Sequence, residues 1–286
     1  MKKKVIIIGA TGFIGQYVSQ LLRVREDVCV YEGRDIGIDL LNIRSIKKAI
    51  NSVKPNVIVN LAAISDLDKY PLTEIYETNA NGIVRIIELL QEINFQGRYI
   101  NTSSSLVYGI PLKIPVSESA PLRPRHHYSC AKAMIDNLIS IVGDELDILS
   151  VRPFNCIGFG QGSRYVLPKI IAHFQRKDQK IELGSIDNKR DFVDVRDVAR
   201  MYELVCFSRP KTGNLINFCS GVGTSVRDLV YEMENISGHE MHVVESENLF
   251  RRADSHDVIG DFSTLDRLGF SLNYGIKDSL RWLYEL

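Results

Sequence analysis

The stretch KVIIIGATGFIG, residues 4–15, joins a short apolar run to a glycine-rich loop that opens a helical pattern over residues 13–23. The apolar run predicts a buried strand. Gly9, Gly12 and Gly15 follow it in a GxxGxxG pattern, and glycines at this spacing permit a tight turn and a close approach of the backbone to a pyrophosphate. The N–H groups at the start of the helix would bind that anion. The stretch therefore predicts the first unit of a dinucleotide-binding fold.

The first half of the chain alternates between apolar strand patterns and helical patterns, which is typical of a parallel sheet covered on both faces. Right-handed crossovers between such strands give a doubly wound sheet. The predicted class is therefore α/β with a Rossmann-type core. Strands are predicted at residues 4–9, 28–32, 56–63, 98–103, 147–153 and 214–220, and helices at 13–23, 42–53, 72–93, 128–143, 166–177, 196–207 and 224–237.

The regular alternation weakens after about residue 153. We expect a dinucleotide-binding core made of residues 1–153 with parts of 190–220. A smaller C-terminal α/β lobe, residues 154–189 and 221–286, is expected to bind the substrate. No internal repeat, low-complexity tract or linker is visible in the sequence, so the lobe is expected to fold against the core.

Composition argues against several classes of partner. The 286 residues carry 35 Lys and Arg against 35 Asp and Glu, so no broad surface for nucleic acid or an acidic membrane is expected. The apolar run near the N-terminus is too short for a signal peptide or a membrane span. The five cysteines are scattered without a CxxC pair, which indicates free thiols in a reducing cytoplasm. No metal site is predicted.

The end of the second predicted strand bears on the choice of cofactor, because this position contacts the adenosine ribose in dinucleotide-binding folds. The stretch YEGRD supplies Glu32, Arg34 and Asp35. An acidic residue favours the free 2′-hydroxyl of NAD, whereas a guanidinium favours the 2′-phosphate of NADP. We expect NADP(H), bound through Arg34, with NAD(H) as the alternative.

Tyr128 and Lys132, in the stretch YSCAK, are spaced to lie on one face of a predicted helix. A free phenol has a pKa near 10, and a neighbouring ammonium lowers that pKa towards the range useful for general acid and base chemistry. A serine cluster in NTSSSLVYG, residues 101–109, ends a predicted strand, where parallel sheets open to ligands. These residues together predict a proton-transfer site.

The chain resembles the extended short-chain dehydrogenase/reductases, and among them the enzymes that act on nucleotide sugars. The C-terminal motifs are most similar to those of GDP-4-keto-6-deoxy-mannose reductases, and the residues after the second strand also resemble dTDP-4-dehydrorhamnose reductases. The motifs that carry the resemblance over nearly the whole chain are GATGFIG (9–15), VNLAA (59–63), YETNANG (76–82), SSSLVYG (103–109), RPFNCIGFGQG (152–162), RDFVDVRDVARMYEL (190–204), INFCSG (216–221) and GDFSTLDRLGF (260–270).

The resemblance implies roles for individual residues. Ser104, Tyr128 and Lys132 would be the catalytic set, Lys132 would also hold the nicotinamide ribose, and Asn79 would brace the central helix. The cofactor would be bound by Gly9, Thr11, Gly12, Phe13, Ile14, Gly15, Arg34, Asp39, Leu40, Leu61, Ala62, Ala63, Asn79, Tyr128, Lys132 and Pro153. The nucleotide sugar would be bound by Ser104, Ser105, Tyr128, Asn155, Arg164, Val166, Arg190, Arg251 and Asp254.

Two departures from the family pattern narrow the choice of reaction. Sugar 4,6-dehydratases carry carboxylates directly after the catalytic Ser or Thr, where this chain has Ser105 and Leu106. Fucose-synthase-like enzymes carry a cysteine at the position of Leu106. Because neither Ser nor Leu can move a proton at carbon, both dehydration and this kind of epimerisation are disfavoured.

The expected activity is NAD(P)-dependent reduction of the 4-keto group of a nucleoside-diphosphate 6-deoxy-4-ketohexose, or its reverse. A C4 epimerase with tightly held NAD uses the same three side chains and stays open as an alternative. A cofactor-sensing binding module without chemistry is the alternative from another class. The helical patterns at 82–93 and 131–142 are apolar on more than one face, so we also expect a homodimer through them.

Overall fold

The computed structural model describes residues 2–143, 145–208, 213–246, 249 and 256–286. The strands found in these residues are β1 (Lys3–Ile8), β2 (Val28–Glu32), β3 (Val57–Asn60), β4 (Arg98–Thr102), β5 (Ile148–Pro153), β6 (Asn155–Ile157), β7 (Lys180–Leu183), β8 (Lys189–Asp194), β9 (Leu215–Phe218), β10 (Gly223–Ser225) and β11 (His242–Glu245). The α-helices are α1 (Phe13–Arg23), α2 (Ile43–Val53), α3 (Leu72–Tyr76), α4 (Gly82–Glu92), α5 (His127–Val142), α6 (Val166–Gln175), α7 (Val195–Phe207), α8 (Val226–Ser237), α9 (Ser263–Arg267) and α10 (Ile276–Glu285).

Six strands form the main sheet in the order β2-β1-β3-β4-β5-β9. The pairs from β2 to β5 are parallel, and Val5 at the centre of β1 pairs with Val30 on one side and Val57 on the other. Because β2 and β3 flank β1, the winding direction of the chain reverses there, and ligands of such sheets bind outside the carboxyl ends of the strands at this reversal. The predicted doubly wound α/β fold is confirmed.

The helices that cover this sheet bury one apolar face each. In α2, Ile46, Ala49, Ile50 and Val53 are buried, a spacing that places all four on one side of the helix. Ile46, Ile50 and Val53 join a core cluster that includes Ile86 of α4. Each fully buried aliphatic side chain of this size stabilises the fold by about 1.5–3 kcal/mol. This packing holds the strand ends, from which the loops of the candidate site emerge.

Two predicted elements differ in extent from those observed. The single helix predicted at 72–93 is interrupted, because the π-helical turn Glu77–Asn81 separates α3 from α4. The strand predicted at 56–63 ends at Asn60, whose side-chain oxygen accepts the N–H of Ala62 and turns the chain out of the sheet. Apolar periodicity does not detect a single π-helical turn, because five residues are too few to define a period.

The chain divides into two compact units. Unit 1 consists of residues 1–109, 121–153 and 199–217, and unit 2 consists of residues 110–120, 154–198 and 218–286. Residues 110–120, which the sequence analysis assigned to the core, therefore belong to unit 2. Within unit 2, Val116 forms a bridge with Gly260, which ties this segment to that unit.

Unit 2 contains two small sheets. One has the order β10-β8-β6 and the other pairs β11 with β7. Helices α6, α8 and α10 pack around a core that includes Phe174, Leu229 and Leu280. Among the residues that the structure describes, no helix combines the length and the apolar character needed to cross a membrane.

Candidate active site

The glycine-rich loop between β1 and α1 lies backbone against backbone with its surroundings. Gly9 has a φ of +83°, and a Cβ atom there would lie 2.6 Å from the backbone nitrogen of Ala62. A Cβ atom at Gly15 would lie 2.1 Å from the carbonyl oxygen of Gly9. Both positions therefore exclude any side chain. The spacing of the glycines, which predicted a tight turn, reflects these two close approaches.

The N-terminus of α1 is suited to an anion. The helix is preceded by Gly12 in an extended conformation, and within this described stretch no side chain caps the helix and no acidic residue lies in its first turn. The N–H groups of the first turn and the positive end of the helix dipole are thus left for a negatively charged ligand. The predicted cofactor residues Thr11, Phe13 and Ile14 lie in this loop or in the first turn.

A cavity of about 470 Å³ opens next to this loop. It brings together five of the residues predicted to bind the cofactor, and its lining consists of Ile8, Gly9, Gly33, Arg34, Gly37, Ile38, Asp39, Leu40 and Ala62. The cavity lies beside the carboxyl end of β1 and is as large as a ligand pocket of ordinary size. The volume of the cavity and the uncapped helix start fit the adenosine and diphosphate parts of a dinucleotide.

Glu32 and Arg34, the charged residues near the end of β2, have different surroundings. The Glu32 carboxylate accepts hydrogen bonds from Ser19 Oγ at 2.6 Å and from the Arg23 guanidinium at 2.8 Å. The hydrogen bond from Ser19 and the pairing with Arg23 hold the pKa of Glu32 below its usual range, against the effect of burial. Arg34 lines the cavity. The acidic residue is thus engaged by α1, while the guanidinium that was predicted to bind a 2′-phosphate borders the cavity.

The loop after β3 is held by Asn79. The side-chain amide donates to the carbonyl of Ile64 at 2.7 Å and accepts the N–H of Ile64 at 2.9 Å. Asn79 lies in the π-helical turn and holds Ile64, which follows Leu61, Ala62 and Ala63. Its role in bracing the central helix stays a prediction. The amide matches both backbone groups of one residue, which gives this loop a defined position.

Lys132 lies buried beneath Tyr128 on α5. The ammonium Nζ donates to the carbonyl of Thr102 at 2.6 Å and lies 5.7 Å from the centroid of the Tyr128 ring. Lys132 is only 1% exposed, and burial lowers its pKa to about 8, opposed by the nearby carboxylate of Asp136. The helix and the end of β4 thus place a cation with a depressed pKa next to the phenol.

Ser104 lies two residues after the end of β4 and caps the 3-10 helix Ser105–Tyr108. The hydroxyl oxygen of Ser104 accepts the N–H of Leu106 at 3.2 Å, so its O–H hydrogen can be donated to a ligand. Ser105, predicted to contact the substrate, is buried, whereas Leu106 is half exposed. An apolar side chain thus occupies the exposed position where dehydratases carry a carboxylate.

The elements that carry Ser104, Tyr128 and Lys132 are joined by a buried carboxylate that the sequence reasoning missed. Asp136 lies one turn after Lys132. Its carboxylate accepts hydrogen bonds from Ser103 Oγ at 2.9 Å, Ser150 Oγ at 2.6 Å and Arg152 Nε at 2.7 Å. These donors belong to the end of β4 and to β5, so one side chain of α5 connects the helix to both strands.

Arg152 extends this network to a second set of residues. The guanidinium donates to the Tyr108 hydroxyl at 2.8 Å, and that hydroxyl donates to the side chain of Asn217 at 2.6 Å. Arg152 and Asp136 are 1% and 0% exposed. The sequence offered two signals of this buried pair. One is an acid within the apolar helical stretch AKAMIDNLISIV, and the other is an arginine within the apolar strand LSVRP. Isolated charges in buried elements indicate buried partners.

The predicted substrate residues of unit 2 are partly described. Asn155 on β6 donates its amide to the carbonyl of Asp191 at 2.9 Å, and Arg190 on the paired strand β8 donates to the carbonyls of Lys189 and His256. Arg164 donates to the hydroxyl of Tyr165. Val166, also predicted to bind the substrate, begins α6. Pro153, predicted to bind the cofactor, ends β5 in unit 1. Arg251 and Asp254 lie outside the described residues.

Asp191 organises the part of unit 2 that surrounds Arg190. Its buried carboxylate accepts the backbone N–H groups of Ser220, Gly221 and Gly260 and the hydroxyl of Ser220. Burial raises the pKa of Asp191, and the hydrogen bonds oppose this effect. A carboxylate with so many donors anchors two segments, residues 220–221 and Gly260, to β8. The sequence analysis assigned Asp191 no role.

Comparison with known proteins agrees with this geometry. The chain is 31% identical over 265 residues to GDP-6-deoxy-D-talose 4-dehydrogenase of Aggregatibacter actinomycetemcomitans, covering 92% of this chain and 90% of that protein. It is 28% identical to GDP-6-deoxy-D-mannose reductase of Pseudomonas aeruginosa, covering 98% of this chain and 96% of that protein.

Solved structures give the same result. The structure of RMD from Pseudomonas aeruginosa complexed with NADPH superposes with a TM-score of 0.87 at 25% identity, covering 99% of this chain and 98% of that one.

The model of the family described as NAD dependent epimerase/dehydratase matches residues 5–217. These findings confirm the expected NAD(P)-dependent enzyme class. The chain belongs to the NAD dependent epimerase/dehydratase family.

Proposed function

We propose that this enzyme reduces the 4-keto group of a nucleoside-diphosphate 6-deoxy-4-ketohexose with NADPH, or catalyses the same step in reverse. The observation that carries the proposal is the buried Lys132 ammonium, fixed on the carbonyl of Thr102 and lying 5.7 Å from the ring centroid of Tyr128. Such a cation stabilises the phenolate that forms when Tyr128 gives up its proton. The activities for which the two relatives are named, a 4-dehydrogenase and a reductase, support the same step.

The chain's own residues account for the proton transfer. NADPH, when bound, supplies the hydride that C4 of the sugar receives. Tyr128 donates its hydroxyl proton to the C4 oxygen, and Ser104 donates a hydrogen bond to that oxygen as its negative charge grows. Lys132 keeps its positive charge next to the resulting phenolate until solvent returns the proton. The ketone thereby gains one hydride and one proton and becomes the alcohol.

The choice of NADPH over NADH rests on the charges near β2. Glu32 is engaged by Ser19 and Arg23, and Arg34 lines the adjacent cavity. A free carboxylate at this position would repel a 2′-phosphate, whereas a guanidinium matches its oxygens. The structure of the relative from Pseudomonas aeruginosa holds NADPH, which supports the same preference here.

We also propose a GDP-sugar as the substrate, because both curated relatives are named for GDP-6-deoxyhexoses. Those two names differ in the configuration of the sugar at C4. Unit 1 would hold the dinucleotide, and unit 2 would hold the nucleotide sugar through Asn155 and Arg190. The latter assignment rests on the bidentate bonds that guanidinium groups form with phosphate oxygens.

A homodimer through α4 and α5 is part of the proposal. On α5, Met134 is 46% exposed and Ile141 is 75% exposed, and both are large apolar side chains that a second subunit would cover.

We place the enzyme in the reducing cytoplasm. All five cysteines lie among the described residues and are free thiols, as expected for that compartment.

The test is an assay of purified enzyme with GDP-4-keto-6-deoxy-mannose and either NADPH or NADH. We expect the absorbance of NADPH to fall with the appearance of one GDP-6-deoxyhexose, whose C4 configuration is read by NMR. Conversion between two C4 epimers without net use of added cofactor would instead establish an epimerase. Failure to oxidise either cofactor with GDP-, dTDP-, UDP- and CDP-linked 4-ketosugars would refute the proposal.

A further inference from the structure

Helix α5, which carries Tyr128 and Lys132, begins with a cap made by a histidine. The Nδ1 atom of His126 accepts the backbone N–H of Ser129 at 3.2 Å. Ser129 Oγ in turn accepts the N–H of His126 at 3.2 Å and donates to the carbonyl of His126 at 2.8 Å. These reciprocal bonds form a capping box that satisfies N–H groups left free at the helix start.

This cap exists in only one protonation state of the imidazole. An Nδ1 atom that accepts a hydrogen bond carries a lone pair, so the proton of the neutral ring lies on Nε2. In the imidazolium form both nitrogens are donors, and the N–H of Ser129 loses its acceptor. The new positive charge of His126 would also lie at the positive end of the helix dipole, which is unfavourable.

The cap is in direct reach of the proposed proton donor. The His126 and Tyr128 rings have centroids 6.1 Å apart and planes inclined by 25°. Tyr128 is the second residue of α5, within the turn that the cap closes. Loss of the cap frays this first turn, whereas Lys132, one turn further and bonded to Thr102, stays in place. The cap therefore affects the phenol more than the ammonium.

The titratable groups around His126 favour its neutral form. His127 follows it directly, and burial together with His127 keeps the pKa of His126 below its usual range. Tyr76 of α3 bonds to His127, and Glu77 at the start of the π-helical turn is already paired with Arg85. On α5 itself the nearest charge is the Lys132 ammonium, whose pKa burial lowers to about 8.

We propose that His126 is a positioning residue that holds Tyr128 in its productive place only while the imidazole is neutral. The proposal rests on the ketoreductase activity proposed above. It predicts that the reductase activity falls at acid pH, where the imidazole of His126 becomes protonated. Tyr128 itself cannot produce this fall, because acid keeps a proton donor protonated and so supports reduction.

Profiles of kcat/KM against pH for NADPH-dependent reduction test the proposal in three variants. In the wild type, we expect kcat/KM to fall by about fivefold as pH drops below the histidine range, the size expected for loss of a typical N-cap. His126→Asn should remove this fall, because Asn caps helices well and does not titrate. His126→Ala should show the lower kcat/KM at every pH. His127→Asn, the matched control, should keep an acid limb, displaced towards higher pH because His127 no longer lowers the pKa of His126.

Thermal unfolding gives a readout that does not depend on activity. The folded-state pKa of His126 is lowered, so the stability it contributes is complete above about pH 6.5 and is lost as pH falls through the folded-state pKa. Between pH 7.5 and 5.5, the Tm of the wild type should fall about 2–4 °C further than that of His126→Asn.

An acid limb that persists in His126→Asn, or that disappears in His127→Asn, would overturn the proposal. Equal Tm losses in the wild type and His126→Asn would overturn it as well. A difference in Tm without any reductase activity would confirm the pH-dependent cap while refuting the proposed reaction, so the two failures can be distinguished.

Discussion

Replacing Asp136 by Asn removes the charge at the centre of the buried network beneath the candidate site. The carboxylate accepts three hydrogen bonds, and its partner Arg152 is 1% exposed. Asn preserves the shape and one acceptor oxygen. Its oxygen can still accept Ser103 and Arg152, and its NH₂ group then faces Ser150 Oγ, but the negative charge that balances the buried guanidinium is lost. Leaving a buried charge without its partner costs about 3–5 kcal/mol.

We expect Asp136→Asn to lower the Tm by roughly 10 °C, which follows from that cost and the usual entropy of unfolding for a chain of this size. Scanning calorimetry measures this change. Adding Arg152→Met should restore part of the loss, because the main cost is the unpaired guanidinium and not the missing carboxylate. The double variant should therefore be more stable than Asp136→Asn alone.

The matched control is Asp187→Asn, which removes a carboxylate paired with Arg227 at 2.8 Å on the surface. We expect no measurable change in Tm, since exposed ion pairs contribute little. If Asp136→Asn and Asp187→Asn have the same Tm, or if Arg152→Met lowers the Tm of the Asp136 variant further, the reasoning about the buried network is wrong.

Four further predictions concern the candidate site. Because burial lowers the pKa of Lys132 to about 8, kcat for reduction should decline as pH rises through that value, and a stopped-flow pH profile checks this. Arg34→Ala should weaken NADPH binding about tenfold or more, with little effect on NADH, in fluorescence titrations. Arg23→Met should reduce the preference for NADPH, because it frees the Glu32 carboxylate. Gly15→Ala should destabilise the enzyme in urea unfolding, since its Cβ would lie 2.1 Å from the Gly9 carbonyl oxygen.

The doubly wound sheet could be predicted because its strands are buried on both faces and its helices on one. Continuous apolar runs such as VIII of β1 and the spacing of Ile46, Ile50 and Val53 in α2 follow directly from that burial. The three-stranded sheet of unit 2, β10-β8-β6, could not be predicted in the same way. Strands β6 and β10 have three residues each, which is too few to show the alternation of apolar and polar residues that predicts a strand.

The candidate site was predictable where function constrains residues that are close in sequence. The glycine loop and the Tyr128 and Lys132 pair are local patterns of this kind. The buried network is different, because Tyr108 and Asn217 are 109 residues apart and only the fold brings them together. The His126 cap was missed for another reason, since histidine is not among the residues that usually cap helices.

The central claim is that Tyr128, supported by Lys132, delivers the proton to the C4 oxygen. Single-turnover oxidation of bound NADPH by GDP-4-keto-6-deoxy-mannose in Tyr128→Phe tests it most directly, with NADPH affinity measured alongside. We predict a rate about 10²–10⁴-fold below that of the wild type, the range typical of a lost general acid, with NADPH affinity unchanged. A Tyr128→Phe enzyme that oxidises NADPH at the wild-type rate would contradict the account.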